Sequence, residues 1–258
     1  MGFPHDLLRE IYNDESAQKH IKRMIRRNLE SVEVDYKGCR MHVHPSDNNT
    51  EFQIWRMGRT HEERAIRNIL SEIAGKPFIA FDVGANAGSF SLRLGAVAPE
   101  GSQVHAFEPN PRMRKRLEHN LGLNGLDNVQ VHDCAISDEF GRMELFLPDK
   151  SNLGQARLGS PFENGEKISV DVCPLTHFLP KDGKAEIDFL KIDIEGFEDR
   201  ALMPLLTEVP FEYCPKLIFF EHKHNTMWQV DIVSELGRFG YQMKKEYGRN
   251  ALFEKKRA

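Results

Sequence analysis

The sequence predicts an α/β fold with a mostly parallel central sheet and helices on both faces. Three observations lead there. From Pro77 onward, apolar strand-like runs alternate with amphipathic helical stretches, the order that parallel strands joined by crossover helices require. The first of those runs, Phe78–Val83, enters a glycine-containing turn, Gly84-Ala85-Asn86-Ala87-Gly88, and a helix follows at once. The 258 residues are 40% hydrophobic and 29% charged, enough apolar side chain for one large core under an ordinary solvated surface.

Taken in order, Pro4 to Leu29 has helical spacing, with Leu7, Leu8, Ile11, Ile21, Met24 and Ile25 three or four residues apart and Lys19, Lys22, Arg23, Arg26 and Arg27 on the other face. That basic run reads first as a solvated face, with an anionic partner as the less favoured alternative. Ser31–Tyr36 and Cys39–His44 alternate with period two around Lys37-Gly38, a hairpin. Pro45–Asn49 reads as a loop by composition, and Thr60 opens a helix to Ala74 whose Thr60-x-x-Glu63 spacing fits a capping box. Core strands are expected near Phe78–Val83, Gln103–Glu108, Val129–Ile136, Ile187–Asp193 and Leu217–His222. Helices are expected near Ser89–Val97, Pro111–Asn120, Phe197–Leu206 and Trp228–Phe239. Arg142–Leu147 and Lys167–Val172 look like an inserted β pair around a turn-rich loop, Ser151–Gly165, a candidate lid. Tyr241–Tyr247 and Ala251–Lys256 form a terminal hairpin. The expected division is an N-terminal helical and hairpin extension over 1–75 and a catalytic domain over 76–258.

Charge and cysteine content narrow the function classes. A net charge of -4 argues against a chain that holds nucleic acid by charge alone. No apolar run approaches the ~18 residues of a membrane span. The N-terminus lacks a basic start followed by an apolar stretch, so a cytoplasmic location is expected. Cys39, Cys134, Cys173 and Cys214 are widely spaced without a CxxC pair, and read as reduced packing residues.

The turn after the first core strand carries the chemistry. Glycine at 84 and 88 would let bare backbone approach a ligand, with N–H groups of the loop and helix start offered to a carboxylate or phosphate. The spacing is Gly84-x-x-x-Gly88 with Asn86 between, not the Gly-x-Gly-x-x-Gly on which a pyrophosphate lies. Asp82 precedes it; a carboxylate there repels pyrophosphate and suits a cationic ligand such as a methionine ammonium, directly or through water. The second strand ends at Glu108, placed to accept both ribose hydroxyls of an adenosine. At the end of the third strand, Asp133 and the backbone of Ala135 stand where an adenine edge would sit.

These segments together resemble the FkbM family of methyltransferases. The resemblance runs from about Phe81 to Glu221 and is carried by FDVGANAGSFS, HAFEPNP, CAISDEFG, and FLKIDIEGFE followed by IFFEHK. It implies S-adenosylmethionine as cofactor, a Rossmann-like class I methyltransferase fold, and mostly O-methylation of sugars, polyketides and related metabolites.

Within that frame, Asp193 ends the fourth core strand and points to where the methyl group would sit, while Glu221 and His222 end the neighbouring fifth strand. Two mechanisms stay open. Asp193 or His222 takes the proton from a substrate hydroxyl; or Asp193, Glu221 and His222 hold a divalent cation, magnesium or manganese, that lowers the hydroxyl's pKa. Lys191 supports the acidic cluster or orients the substrate. Glu195 and Glu198 fall where acids favour a helix start, and His42, His44 and His224 read as surface residues or minor contacts. A nicotinamide dehydrogenase is disfavoured by Asp82 and Asn86, and a non-catalytic scaffold by the intact acids at 82, 108, 193 and 221. N-methylation of a small amine remains an alternative, and the expected partner is a small-molecule or glycan acceptor, with no nucleic acid.

Overall fold

The computed structural model describes residues 4–148, 152–179, 186–223 and 227–256. The N-terminal helical pattern is two helices, α1 (His5–Asn13) and α2 (Lys19–Arg27), because Asp14 breaks it: its carboxylate accepts from the Ser16 backbone N–H at 2.8 Å and hydroxyl at 2.7 Å. β1 (Val32–Tyr36) and β2 (Cys39–Val43) pair antiparallel as expected, turning through Lys37 and Gly38, both at positive φ, the geometry of a two-residue hairpin loop.

The segment Pro45–Asn49 is not simply a loop. Asn48 caps a helix, α3 (Asn49–Met57), by accepting from Glu51 N at 3.0 Å, and α3 buries Phe52, Ile54 and Trp55. The capping box at Thr60 does not form. The next helix, α4 (Glu63–Ile73), starts after Glu62 without a side-chain cap, because Glu63 turns to Arg93 at 3.1 Å instead.

Strands and helices then alternate: β3 (Ile79–Val83), α5 (Ser89–Val97), β4 (Gln103–Phe107), α6 (Pro111–Leu123) and β5 (Val129–His132). The expected third core strand splits at Asp133, and β6 (Ala135–Ile136) joins β7 (Gly141–Leu147), β8 (Arg157–Leu158) and β9 (Glu166–Cys173) in a separate four-stranded sheet ordered β6-β9-β7-β8. The chain returns as β10 (Phe189–Ile192), α7 (Glu198–Glu208), β11 (Leu217–Glu221), α8 (Ile232–Arg238), β12 (Tyr241–Tyr247) and β13 (Asn250–Lys255).

The main sheet has the order β12-β13-β11-β10-β3-β4-β5. Its pairs from β11 to β5 are parallel and β13 runs antiparallel beside β11, a Rossmann-like class I methyltransferase fold. Period-two alternation divides the core. Ala80, Phe189 and Phe219 pack on the face covered by α3 to α6 and the hairpin, while Phe81, Leu190 and Phe220 pack on the face of α7 and α8. Strand order reverses between β3 and β10, with Asp82 opposite Lys191 and Val83 opposite Ile192, and ligands bind in such sheets beyond the carboxyl ends at that switch. Among the described residues no helix is long and apolar enough to cross a membrane.

Candidate active site

At the switch point a cleft opens beyond β3, β4 and β10. Its walls include Gly84, Asn86, Glu108, Asp193 and Glu195, with Phe107, Cys134, Ala135, Ile136, Leu145, Leu153 and Leu158 forming an apolar slot. Arg157 enters it from the inserted sheet.

The turn that leads into the cleft is closed on itself. Gly84 N and Ala85 N donate to Phe107 O at 3.1 and 3.0 Å, and Gly88 N to Ala85 O at 2.9 Å. Asn86 N donates to Glu108 Oε2 at 2.7 Å, and Ala87 N to Asn86 Oδ1 at 2.8 Å. The N–H groups from 84 to 88 are therefore engaged, and the phosphate or carboxylate cradle expected of them is not there. The glycines are also required for a different reason than expected. A Cβ on Gly84, at φ +76°, would lie 2.0 Å from the Asp193 carbonyl oxygen, and one on Gly88 would lie 2.7 Å from Leu117 Cδ1. Both turn glycines let β3 and α5 approach neighbouring protein rather than ligand. Asn86 adopts φ 53°, a conformation asparagine tolerates better than most residues.

Asp82 is fully buried. Ser91 Oγ donates to it at 2.6 Å and Lys191 Nζ sits 3.2 Å away, an ion pair whose alignment falls short of a hydrogen bond on Oδ1. It is behind the turn and already paired, so the expected direct contact with an ammonium is corrected. Lys191 is held from the same side. Its Nζ donates to Gly84 O at 2.7 Å and Val83 O at 3.2 Å and lies 4.0 Å from Asp193. Burial lowers its pKa, but Asp82, Asp193 and Glu62 outweigh that and hold the ammonium charged. A charged, buried ammonium is no base and does not reach the cleft; Lys191 is a positioning residue for the turn.

Glu108 is where the sequence placed it, 6% exposed, accepting from Asn86 N and from Asn110 N at 2.8 Å. Each of its oxygens keeps acceptor capacity toward the cleft. Burial pushes its carboxyl up to about 7, against the pull of the two N–H groups. Ala135 lines the apolar slot, but Asp133 is exposed and is not among the lining residues, so its expected contact with an adenine amino group is corrected: the chain kinks there as it leaves β5 for β6.

Asp193 is 45% exposed at its side chain and borders both the cleft and a second, rim cavity, whose wall also includes Glu62, Glu195, Glu221, Glu246 and Arg249. Glu195 borders both as well. It sits at φ 55°, a strained position for a non-glycine residue. Partial burial, with Asp193, Glu221 and Glu198 nearby, pushes its carboxyl up to about 7. Glu198 has a different task, closing the turn by accepting from Ile194 N and Gly196 N, and from Trp228 Nε1 at 2.8 Å.

The metal reading is corrected. His222 Nε2 lies 3.3 Å from Glu246 Oε1, toward the terminal hairpin, and Glu221 is paired with Arg249. Among the described residues no group of three or more His, Cys, Asp or Glu side chains is placed to hold a metal ion, so the proposed donor set does not fit one. His222 lines neither cavity, which removes it as a base acting there. His224 lies outside the described residues. His42 meets His44 at a tilt and His119 edge-on, and neither His42 nor His44 lines the cleft.

Three contributors escaped the sequence reading. Glu195 has the sequence position of a helix-start acid, and its place beside Gly196 after a strand end is the signal that marks it. Arg157, from the inserted loop, has its guanidinium 3.8 Å from the Phe162 ring centroid and a buried Nε without a partner among the described residues. Asn48 donates to Asn86 Oδ1 at 2.8 Å, and the inserted strap is tied to Asn86 and to the residue before Asn48: Leu153 N donates to Asp47 O at 2.7 Å and Asn86 Nδ2 to Gly154 O at 3.4 Å.

The chain is similar to several known methyltransferases. The chain is 30% identical over 158 residues to methyltransferase sdnD of Sordaria araneosa, covering 50% of this chain and 60% of that one. It is 33% identical over 152 residues to the 31-O-demethyl-FK506 methyltransferase FkbM of Streptomyces tacrolimicus, covering 48% and 58%. For the 2-O-methyltransferase NoeI of Sinorhizobium fredii the figures are 28% over 166 residues, 57% and 66%. The matches thus take in about three fifths of the relatives' own lengths. A solved structure, methyltransferase FkbM from Methylobacillus flagellatus, superposes with a TM-score of 0.48 at 18% identity, over 80% of this chain and 53% of that one. The Methyltransferase FkbM domain is matched over residues 82–243, from the buried aspartate before the turn into the terminal hairpin, and the chain belongs to the FkbM methyltransferase family.

Proposed function

We propose that this protein is an S-adenosylmethionine-dependent methyltransferase acting on a hydroxyl of a sugar, glycan or secondary metabolite. The observation that carries the reading is the polarity of the cleft. Its carboxylates, Glu108, Asp193 and Glu195, accept hydrogen bonds, while the N–H groups of the turn are already engaged. A pyrophosphate needs donors from such a turn. An adenosyl sulfonium offers donors and positive charge instead: ribose hydroxyls for Glu108, an ammonium for Asp193, with the adenine in the slot of Phe107, Ala135 and Ile136. Arg157, the cationic side chain among the described residues that line the cleft, faces its carboxylate. The relatives named for O-methylation, FkbM and NoeI, support the acceptor class.

When bound, S-adenosylmethionine supplies an electrophilic methyl group. Glu195, whose carboxyl titrates near neutrality, takes the proton of the attacking hydroxyl, and Asp193 orients that hydroxyl from the wall shared by the two cavities. The strap at Leu153–Gly154 keeps water out of the cleft. Residues 1–75 act as an extension to a methyltransferase domain over 76–258. The acidic rim cavity favours a second reading, N-methylation of a small amine, since carboxylates would hold a protonated amine before transfer.

Calorimetric titration with S-adenosylhomocysteine, with NAD as control, tests the cofactor class. Micromolar binding of the former and none of the latter is expected. Binding of NAD, or of neither, would sink the reading. Hydroxylated sugars and small amines, offered in parallel to the loaded enzyme, separate the two acceptors.

A further inference from the structure

The charge on this chain is unevenly placed. Acidic residues outnumber basic ones, 39 to 35, yet an open groove between α2 and α6 is lined by five cationic side chains of α2 and three of α6. The carboxylate in its wall, Asp47, is neutralised by Arg116 through two contacts of 2.9 and 2.7 Å.

α2 is built against its own helical interest. Lys19–Arg23, Lys22–Arg26 and Arg23–Arg27 are like charges at i,i+4, each of which destabilises a helix. Lys19 occupies the first turn, which holds no acid, although the helix dipole favours negative charge there. Arg116 is paired with Asp47 and Glu51, and Arg112 with Glu166, but Arg26 and Lys22 are fixed without being neutralised. Arg26 lies 4.6 Å from the Phe52 ring and donates to Asn49, and Lys22 lies 5.8 Å from the Tyr12 ring; aromatic faces position a cation but leave its charge available. Lys19, Arg23, Arg27 and Lys115 form no ion pair with another described residue.

The groove adjoins the cleft. Leu153 lines both, and its N–H is tied to Asp47 O. The two helices make the groove concave, so a flat bilayer would meet only its edges. α2 is nine residues long, about 13 Å, and repeats its cations each turn, a length that suits several linked anions better than a single one.

We propose that this groove binds an oligoanion, the phosphate- or sulfate-bearing part of the methyl acceptor; the acceptor role rests on the methyltransferase activity proposed for the neighbouring cleft. Tripolyphosphate and a heparin-derived tetrasaccharide, the two anion types, are titrated calorimetrically into the full chain at about 50 mM and about 200 mM salt. The same titrations use the variant Lys19→Gln/Arg23→Gln/Arg27→Gln/Lys115→Gln, whose four sites are exposed. Wild type should bind at least one probe, more weakly at the higher salt. The variant should bind it at least about tenfold more weakly, with its melting temperature no lower than wild type and its S-adenosylhomocysteine affinity preserved. Equal binding by both proteins, or none by wild type, overturns the assignment. So does binding to phosphatidylglycerol vesicles with neither soluble probe bound, which would make the face a membrane surface. Because S-adenosylhomocysteine is titrated separately, failure of the cofactor reading is distinguishable from failure of the groove.

Discussion

Lys191→Met removes the cation that stands between a buried carboxylate and the two carbonyls that end β3. In the wild type the ammonium is 5% exposed and Asp82 1%, so water cannot replace the lost partner. Breaking a buried pair by deleting one member costs about 3–5 kcal/mol, because the remaining charge is uncompensated. For a chain of 258 residues, with about 2 °C per kcal/mol, melting should fall by roughly 6–10 °C. Asp82 retains its Ser91 donor, which places the loss toward the lower end. Urea denaturation checks this, as a lower midpoint at unchanged slope. The double variant Asp82→Asn/Lys191→Met removes both charges, and should recover about 1–3 kcal/mol relative to the sum of the single losses. Strict additivity, or a Lys191→Met variant within about 1 kcal/mol of wild type, would refute the claim that the pair fastens the turn.

Gly84→Ala forces a Cβ against the Asp193 carbonyl, a backbone atom, and should cost about 3 kcal/mol or more. Gly88→Ala meets a movable leucine end and should cost less, both measured by denaturation. Glu195→Gln should retain S-adenosylhomocysteine binding and lose turnover, while the wild-type rate should rise with pH and level off above about 7 as the base ionises. For Glu108, the folded carboxyl titrates at about 7 against an ordinary 4.5. Its contribution to stability is therefore full below pH 4.5 and declines as pH rises to about 7, by at most about 3 kcal/mol. Ribose hydroxyls favour the ionised form, so S-adenosylhomocysteine affinity should rise with pH to a plateau above about 7, with proton release seen by titration in buffers of different ionisation heat. A flat affinity profile from pH 5 to pH 8 would remove the ribose assignment.

The parts that were legible in the sequence are those set by local pattern. Alternating strands and helices placed β3, β4, β10 and β11, and Glu108 could be located because a strand end is read from the strand itself. What failed depended on partners far along the chain. Asp82 looked available until the fold brought Lys191, 109 residues later, beside it. Thr60 and Glu63 had capping-box spacing, but Arg93 competes for the glutamate. Asn48 sat in a run that composition assigns to loop, and the same side chain that caps α3 reaches Asn86. His222 and Glu221 ended the expected strand, yet the terminal hairpin supplies Glu246 and Arg249 as partners, and no local signal announces that.

Asn86 joins pieces that the chain order keeps apart. Its amide accepts from Asn48, donates to Gly154 and holds Ala87, while its backbone N–H reaches Glu108. The N-terminal segment is therefore not an interchangeable cassette. A chimera that exchanged residues 1–57 with those of a relative would keep the sheet, but it would bring a working cleft only if the donor supplied an amide at the place of Asn48. Any exchange of the N-terminal segment therefore has to carry that amide with it, together with the contacts of α3 to α1 and α2.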